Sequence, residues 1–354
     1  MKTNELFRVT NLPLFQNKMF PDKDSARECL KGDIILVQNL DTGLIYNASF
    51  DSARLEYDAD YQNEQAYSTI FLRHLDDVKN IITSHLNEKT LIEVGCGKGF
   101  FLEYLCKHGF HITGIDPAYE GNNPNVVKAC FNSSLGISAE GIVLRHVLEH
   151  MSNPVEFLSG IAKANGGKGK IYIEVPCFDW ICKNKAWFDI FYEHVNYFRL
   201  ADFSRMFGTI YESGHVFGGQ YLYVVADIST LRKPVFDKYD KISFPADIFS
   251  SIERLAASAK INRNAIWGGA SKGVIFALYM ERAGVNIDMV IDINPAKQGR
   301  FLAGSGLQVS TPDEALILLQ PGDDIFVMNS NYIQEIVELS NNRFNYLKVD
   351  HYEL

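Results

Sequence analysis

From residue 90 onward, short apolar runs and amphipathic stretches take turns along the chain. Residues 91–95 (LIEVG) are apolar and end on glycine, whereas residues 100–109 (FFLEYLCKHG) repeat apolar positions at helical spacing and stop at Gly109. Residues 111–116 (HITGID) and 141–147 (GIVLRHV) read as further strands, residues 154–167 as a helix closed by glycines, and residues 169–176 (GKIYIEVP) as a fourth strand. Strands alternating with helices predict a parallel sheet covered on both faces.

Both ends of the chain carry related patterns. Residues 32–39 (GDIILVQN) and 43–50 (GLIYNASF) read as two strands around the turn Asp41-Thr42-Gly43, followed by a polar, aromatic stretch at 57–67 and a helix near 66–85. Residues 187–198 (WFDIFYEHVNYF) are unusually aromatic, and residues 218–228 resemble a late, largely buried strand. A polar helical stretch at 250–261 leads into strands at 264–269, 287–294, 323–329 and 346–351, with a helix at 272–284. The expected organisation is a small N-terminal unit (1–75), a central α/β domain (76–228) and a C-terminal Rossmann-like α/β domain (229–354). A chain of 354 residues accommodates two or three cores.

Composition narrows the function. The net charge of −9, from 34 basic and 43 acidic side chains, offers little counterion release, so nucleic acid is not an expected partner. The six cysteines (Cys29, Cys96, Cys106, Cys130, Cys177, Cys182) form no C-x-x-C pair and read as reduced thiols of a cytoplasmic protein. No apolar run reaches membrane-spanning length and the first residues lack a signal-peptide core, so no membrane is expected. A small-molecule substrate and a monomer or homodimer are.

The strongest chemical signal is Glu93-Val94-Gly95-Cys96-Gly97-Lys98-Gly99, between a strand and a helix. Glycines there admit backbone conformations closed to other residues and let a ligand approach the main chain. The spacing G-x-G-x-G, preceded by an acid, departs from the dinucleotide pattern G-x-G-x-x-G. It resembles motif I of the class I methyltransferases, which bind S-adenosylmethionine in a Rossmann-like domain. Asp116, at the end of the next strand, then has the position of a ribose ligand. Arg145-His146-Val147-Leu148-Glu149-His150 resembles the same superfamily's post-strand loop beside cofactor and reacting centre, which adds Arg145 and His146 to the cofactor set.

Further segments resemble the nucleotide-sugar C-methyltransferases: Ile173-Glu174-Val175-Pro176, Phe191-Tyr192-Glu193-His194 with Tyr197-Phe198, Trp267–Gly273 (WGGASKG), Asp292–Gly299 (DINPAKQG), Gly304-Ser305-Gly306 and Asn329–Tyr332. The resemblance covers about residues 60–340 and implies methyl transfer to carbon of a nucleotide-linked ketosugar, with the acceptor between the central and C-terminal domains. Two departures stand out. That family's N-terminal module binds zinc through two cysteine pairs, whereas Cys29 stands alone here, so no metal is expected. Its proposed tyrosine base is replaced by Phe191.

His194 is therefore the first candidate base, Glu193 its orienting partner or an alternative, His150 a donor to the developing oxyanion, and Tyr192 a substitute for the tyrosine through a one-residue shift. Tyr61, Tyr197, Lys272 and Asn331 are candidate acceptor ligands, and Asn132 and Ser133 candidates to face adenine. Each of these also fits plain packing: a histidine or tyrosine in an aromatic stretch is commonly a satisfied structural group. Two rival functions stay open, an O- or N-methyltransferase of another small molecule and a non-catalytic binder of the cofactor or a nucleotide sugar. The C-terminal glycines with Asp292 also leave open a second nucleotide site and, with it, an NAD-dependent oxidoreductase.

Overall fold

The computed structural model describes residues 2–55, 60–62, 64–86, 90–259 and 263–350, so residues 57–59 and 63 of the polar stretch, residues 260–261 of the helical stretch and His351 of the last strand lie outside it. Among the described residues four sheets form. The central one has seven strands, ordered Ile210–Val216, Tyr221–Asp227, Lys170–Pro176, Gly141–Arg145, Thr90–Val94, His111–Ile115 and Val126–Val127. The five strands from Lys170–Pro176 to Val126–Val127 are parallel. Tyr221–Asp227 inserts antiparallel between Lys170–Pro176 and Ile210–Val216. This is the α/β, Rossmann-like arrangement of a class I methyltransferase.

The central strands are apolar throughout because both faces are covered: Ile142, Val143, Leu144, Ile171, Tyr172, Ile173 and Val175 are all fully buried. Helix Thr69–Leu86 buries Phe71, Leu75, Val78, Ile82 and Leu86, a stripe at helical spacing against that sheet. Helix Pro154–Ala164 starts where the Asn153 side chain accepts the Glu156 N–H and Pro154 occupies the first turn. Strand Ile210–Val216, at the sheet's edge, escaped the sequence reading. Only alternate residues are half-buried, and its sequence, IYESGHV, is correspondingly polar.

The C-terminal sheet is wholly parallel, in the order Val309–Ser310, Met289–Ile291, Asn264–Trp267, Asp324–Val327, Asn345–Lys348. Helix Lys272–Arg282 buries Val274 through Leu278 against it. At the other end of the chain, Lys31–Asn39 and Ile45–Asn47 pair around the anticipated turn. The eleven-residue strand Thr3–Pro13 beside them was not anticipated. Two register shifts, at Glu5/Phe7 and Val9/Leu12, break the alternation that would have revealed it.

The N-terminal residues do not stand apart. Asn196–Tyr197 adds a strand to their sheet, and Met19–Phe20 pairs with Phe301–Leu302 of the C-terminal region. One apolar cluster runs from Leu12, Leu14 and Ile34 through Trp187, Phe188 and Tyr192 to Phe276 and Leu302. No described helix is long and apolar enough to cross a membrane.

Trp187 shows how this cluster is joined. Its ring stacks on Phe276 of helix Lys272–Arg282 at 5.8 Å, and its Nε1–H donates to Ser251 Oγ at 2.8 Å. Trp187→Ala is expected to lower stability by about 3–5 kcal/mol, because a rigid region cannot fill the void. Urea denaturation monitored by circular dichroism will read it, and a loss below about 1 kcal/mol would show that the cluster is not shared in this way.

Candidate active site

A cavity of about 360 Å³ opens where the central sheet, the N-terminal residues and the C-terminal sheet meet. Such a position, outside the carboxyl ends of parallel strands, suits ligand binding in α/β sheets. Its wall includes Glu93, Gly95 and Gly97 of the first glycine turn, Arg145, His146, Glu149 and His150 of the next loop, and Gly268, Ser271 and Lys272 of the C-terminal turn.

The first turn is built for close approach. Gly95, Gly97 and Gly99 all have positive φ (74°, 55° and 81°). A Cβ on Gly95 would lie 2.4 Å from Val147 Cγ2, whereas one on Gly97 would meet nothing within 4 Å, so the main chain at Gly97 is open to a ligand. Asp116 accepts the Gly97 N–H at 2.8 Å and the Ala118 N–H at 2.8 Å. It braces the turn from outside the cavity wall. Glu93 is buried and its Oε2 has no hydrogen-bond partner; burial raises its carboxyl to about 8. A buried carboxylate oxygen in need of a donor, beside an open glycine turn, fits the cationic ammonium and polar tail of S-adenosylmethionine.

Behind the loop lies Glu174, fully buried on strand Lys170–Pro176. It accepts from Tyr172 Oη at 2.8 Å, Arg145 Nε at 3.2 Å, His146 Nε2 at 3.0 Å and His74 Nε2 at 2.9 Å. Burial opposes its charge, but Arg145 and His74 overcome that and hold it well below the usual carboxylate range. His146 sits in the left-handed region at φ 51°, a costly conformation for a side-chain-bearing residue. Burial would lower it, yet Glu149 and Glu174 raise it to about 9. Arg145 packs 4.4 Å over the Phe101 ring. Arg145 and His146 thus stand as fixed cations at the cavity wall. Neither His74 nor Glu174 had been singled out as a site residue, because each reads locally as one polar residue in an apolar pattern.

His150 and His194 form the opposite electrostatic type. Their rings meet edge-on at 5.1 Å, and both line the cavity. Burial lowers His150, and burial followed by the charges of His150 and His146 takes His194 well below the usual range. Both shifts favour the neutral imidazole. His150 Nδ1 lies 2.9 Å from the Glu193 carbonyl, which can only accept, so Nδ1 carries the proton and Nε2 the lone pair. This corrects the expected role of His150: in this tautomer it offers the cavity an acceptor and cannot donate to an oxyanion.

Other expectations are redrawn. Tyr192 is fully buried away from the cavity, its hydroxyl accepting the Asp51 N–H at 3.0 Å and reaching the Ser49 carbonyl at 3.4 Å, so it does not replace the missing tyrosine. Tyr197 is a clasp, its hydroxyl bonded to both the N–H and the carbonyl of Phe191. Asn331 donates to the Phe217 carbonyl outside the cavity wall. Asn132 is exposed and caps the turn Ser133–Leu135. Glu193 is buried behind the wall, where its Oε2 accepts the Gln16 N–H at 2.7 Å and the carboxyl is bonded by Tyr61; burial raises it to about 7. Tyr61 and Lys272 do reach the cavity, Lys272 paired with Asp189 at 3.1 Å. Phe191 also lines it, 4.0 Å from the His194 ring.

Residues 61–209 match the model of a methyltransferase domain, and residues 246–345 that of a C-methyltransferase C-terminal domain. The chain is similar to the C-methyltransferase NovU of Streptomyces niveus, 23% identical over 290 residues, which are 70% of this chain and 68% of that protein. Among solved structures, it is 22% identical to the plantazolicin methyltransferase BpumL in complex with a triazolic desmethylPZN analog and SAH, over 34% of this chain and 52% of that one, with a TM-score of 0.28. It therefore spans about half the length of that protein. The Burkholderia thailandensis 1,6-didemethyltoxoflavin-N1-methyltransferase is matched at 14% identity over 53% of this chain and 97% of that one, with a TM-score of 0.35.

Two measurements test the site. If the ionised Glu93 receives an ammonium group, calorimetry will show S-adenosylhomocysteine binding tighten as pH rises toward about 8, with proton release near neutrality. Glu93→Gln should remove this dependence, and an unchanged pH profile would take Glu93 out of the site. Glu174→Gln should cost about 3–5 kcal/mol, since two cations lose their shared carboxylate. His146, raised in the folded state, contributes stability below about pH 6.5 that fades as pH climbs through its folded value. In Glu174→Gln that value falls, so thermal melts should show the alkaline loss of stability beginning at lower pH.

Proposed function

We propose that this protein, an S-adenosylmethionine-dependent methyltransferase, transfers the methyl group to a carbon beside the carbonyl of a nucleotide-linked ketosugar. The observation that carries the reading is the pair of half-buried imidazoles, in surroundings that favour their neutral form, in one cavity with the first glycine turn. A carbon nucleophile must first lose a proton, which calls for a positioned base with its lone pair available at neutral pH. The C-methyltransferase C-terminal domain match and the similarity to a C-methyltransferase support the same choice. Lys272 and Lys297 bring cationic side chains to the cavity that suit a diphosphate-bearing acceptor.

Glu93, Gly95 and Gly97, with Arg145 and His146 beside them and Asp116 bracing the turn from behind, are the residues that would hold the cofactor. S-adenosylmethionine held there would supply an activated methyl, which the enolate carbon would take with its electron pair while the pair of the S–CH3 bond stays on sulfur. His194 takes the proton from the acceptor carbon, and the C–H electron pair passes into the enolate. Phe191 cannot exchange a proton; it packs against His194 and helps exclude water, which keeps the imidazole neutral. The Glu193 carbonyl fixes the tautomer of His150, and the Glu193 carboxyl orients Tyr61. These are positioning tasks.

The decisive assay incubates the protein with labelled S-adenosylmethionine and a set of nucleotide-linked deoxyketosugars, and locates the methyl by NMR. A methyl on carbon is expected, and a methyl on oxygen or nitrogen would give the reading to the rival small-molecule methyltransferase. Proton removal is read separately. With S-adenosylhomocysteine bound in deuterated buffer, deuterium should enter the carbon beside the carbonyl, and this exchange should fall at least about a hundredfold in His194→Ala. Equal exchange in the variant would remove His194 as base.

A further inference from the structure

Glu149, His150 and His194 each bring one possible ligand atom to within 4.8 Å of the other two. We propose that they form a binding site for one borderline divalent transition-metal ion, Zn²⁺ or Co²⁺, on the wall of the acceptor cavity. The site is distinct from any N-terminal cysteine cluster.

Three observations converge on it. Glu149 is 1% exposed, yet its Oε2 has no hydrogen-bond partner. A buried carboxylate oxygen left in that state is costly, and a cation removes the cost. His150 donates Nδ1–H to the Glu193 carbonyl at 2.9 Å, which directs the Nε2 lone pair to the cavity. A backbone carbonyl on the far ring nitrogen is the arrangement that orients a metal-ligating histidine. The His194 ring faces that of His150 edge-on and, among the described residues, takes no hydrogen bond from the protein. Two imidazoles and one carboxylate select a borderline ion over Mg²⁺ or Ca²⁺, which prefer oxygen alone. Ligands sharing an ion through bonds of about 2.0–2.2 Å stand about 3–4 Å apart, so a small side-chain rotation closes the set. Three protein ligands facing a cavity leave a position for water or an acceptor oxygen.

The consequence for turnover, unlike the site itself, rests on the function proposed above. A bound ion and proton removal by His194 use the same nitrogen lone pair. The metal-loaded protein therefore loses deuterium exchange and methyl transfer, and a chelator restores them.

Titration of tag-free, chelator-stripped, full-length protein with Co²⁺ tests the site without any acceptor. One equivalent should give the visible d–d bands of a low-coordinate nitrogen–oxygen site, with no thiolate-to-cobalt charge transfer. His194→Ala and Glu149→Gln should each weaken binding about tenfold or more. Absence of a saturable band, or equal affinity in His194→Ala, would overturn the proposal; equal affinity would mark adventitious binding elsewhere. Should Glu149→Gln fail to fold, His194→Ala decides, with its fold checked by circular dichroism and S-adenosylhomocysteine binding. Failure of every ketosugar as acceptor would leave the cobalt spectrum standing, and a missing cobalt spectrum would leave the deuterium exchange standing, so the two readings fail separately.

Discussion

A dozen residues, 187–198, have to be buried for the rest of the chain to close around them. Trp187, Phe188, Ile190, Phe191, Tyr192, Val195, Tyr197 and Phe198 are almost wholly out of water, which is unusual for a segment with so little regular structure. Its backbone groups still need partners. Some come from the strand pairing of Asn196–Tyr197 with Ile45–Asn47, some from the Tyr197 hydroxyl on Phe191, and one from His150 on the Glu193 carbonyl. Because those partners lie in different parts of the chain, the segment forms only when the N-terminal sheet and the 146–150 loop are both in place. Trp187, packed against helix Lys272–Arg282, adds the C-terminal sheet to the same condition.

That constraint also sorts the charges around the cavity. On the side of strand Lys170–Pro176, Glu174 gathers Arg145, His146 and His74, and the shifts of Glu174 and His146 favour their charged forms despite burial. On the side of the aromatic segment burial outweighs the nearby Glu149 carboxylate at His150 and, with the neighbouring positive charges, lowers His194, so both imidazoles favour the neutral form. Three residues separate His146 from His150, yet one is a cation and the other a lone-pair donor. The difference follows from their partners: His146 meets the carboxylates of Glu149 and Glu174, whereas His150 bonds the Glu193 carbonyl. A cavity that must bind a charged cofactor and also remove a proton needs both kinds of group within a few ångströms.

How much of this could be read from the residues alone depended on whether the determinant was local. The glycine turn, with Glu93 before it and Asp116 after the next strand, is a local geometry encoded in consecutive residues, and so was the alternation of strand and helix that gave the α/β class. The first strand, Thr3–Pro13, was missed because two bulges disrupt its period. The late strand Tyr221–Asp227 was recognised from its apolar run, but its antiparallel insertion was not, since direction depends on partners far away in sequence. At the site, His194, His150, Tyr61 and Lys272 were found by motif and do line the cavity. Tyr192, Tyr197 and Asn331 came from the same motifs and serve packing and backbone bonding. Neighbouring residues in an irregular segment point in unrelated directions, so a motif gives the neighbourhood and only the tertiary contacts choose among its members.

Phe191 is the position where these arguments meet. A tyrosine there would bring a hydroxyl into the cavity beside His194; phenylalanine brings only a ring edge and excludes water. The loss of that hydroxyl leaves the proton-accepting capacity of the cavity with the two imidazoles, and it makes their neutrality more consequential. Charge on His146 is tolerable because Glu174 and Glu149 share it. Charge on His194 is disfavoured by burial and by the charges of His150, His146 and Lys272. In the proposed mechanism, a proton held by His194 is therefore confined to the interval in which the acceptor carbon carries the compensating negative charge.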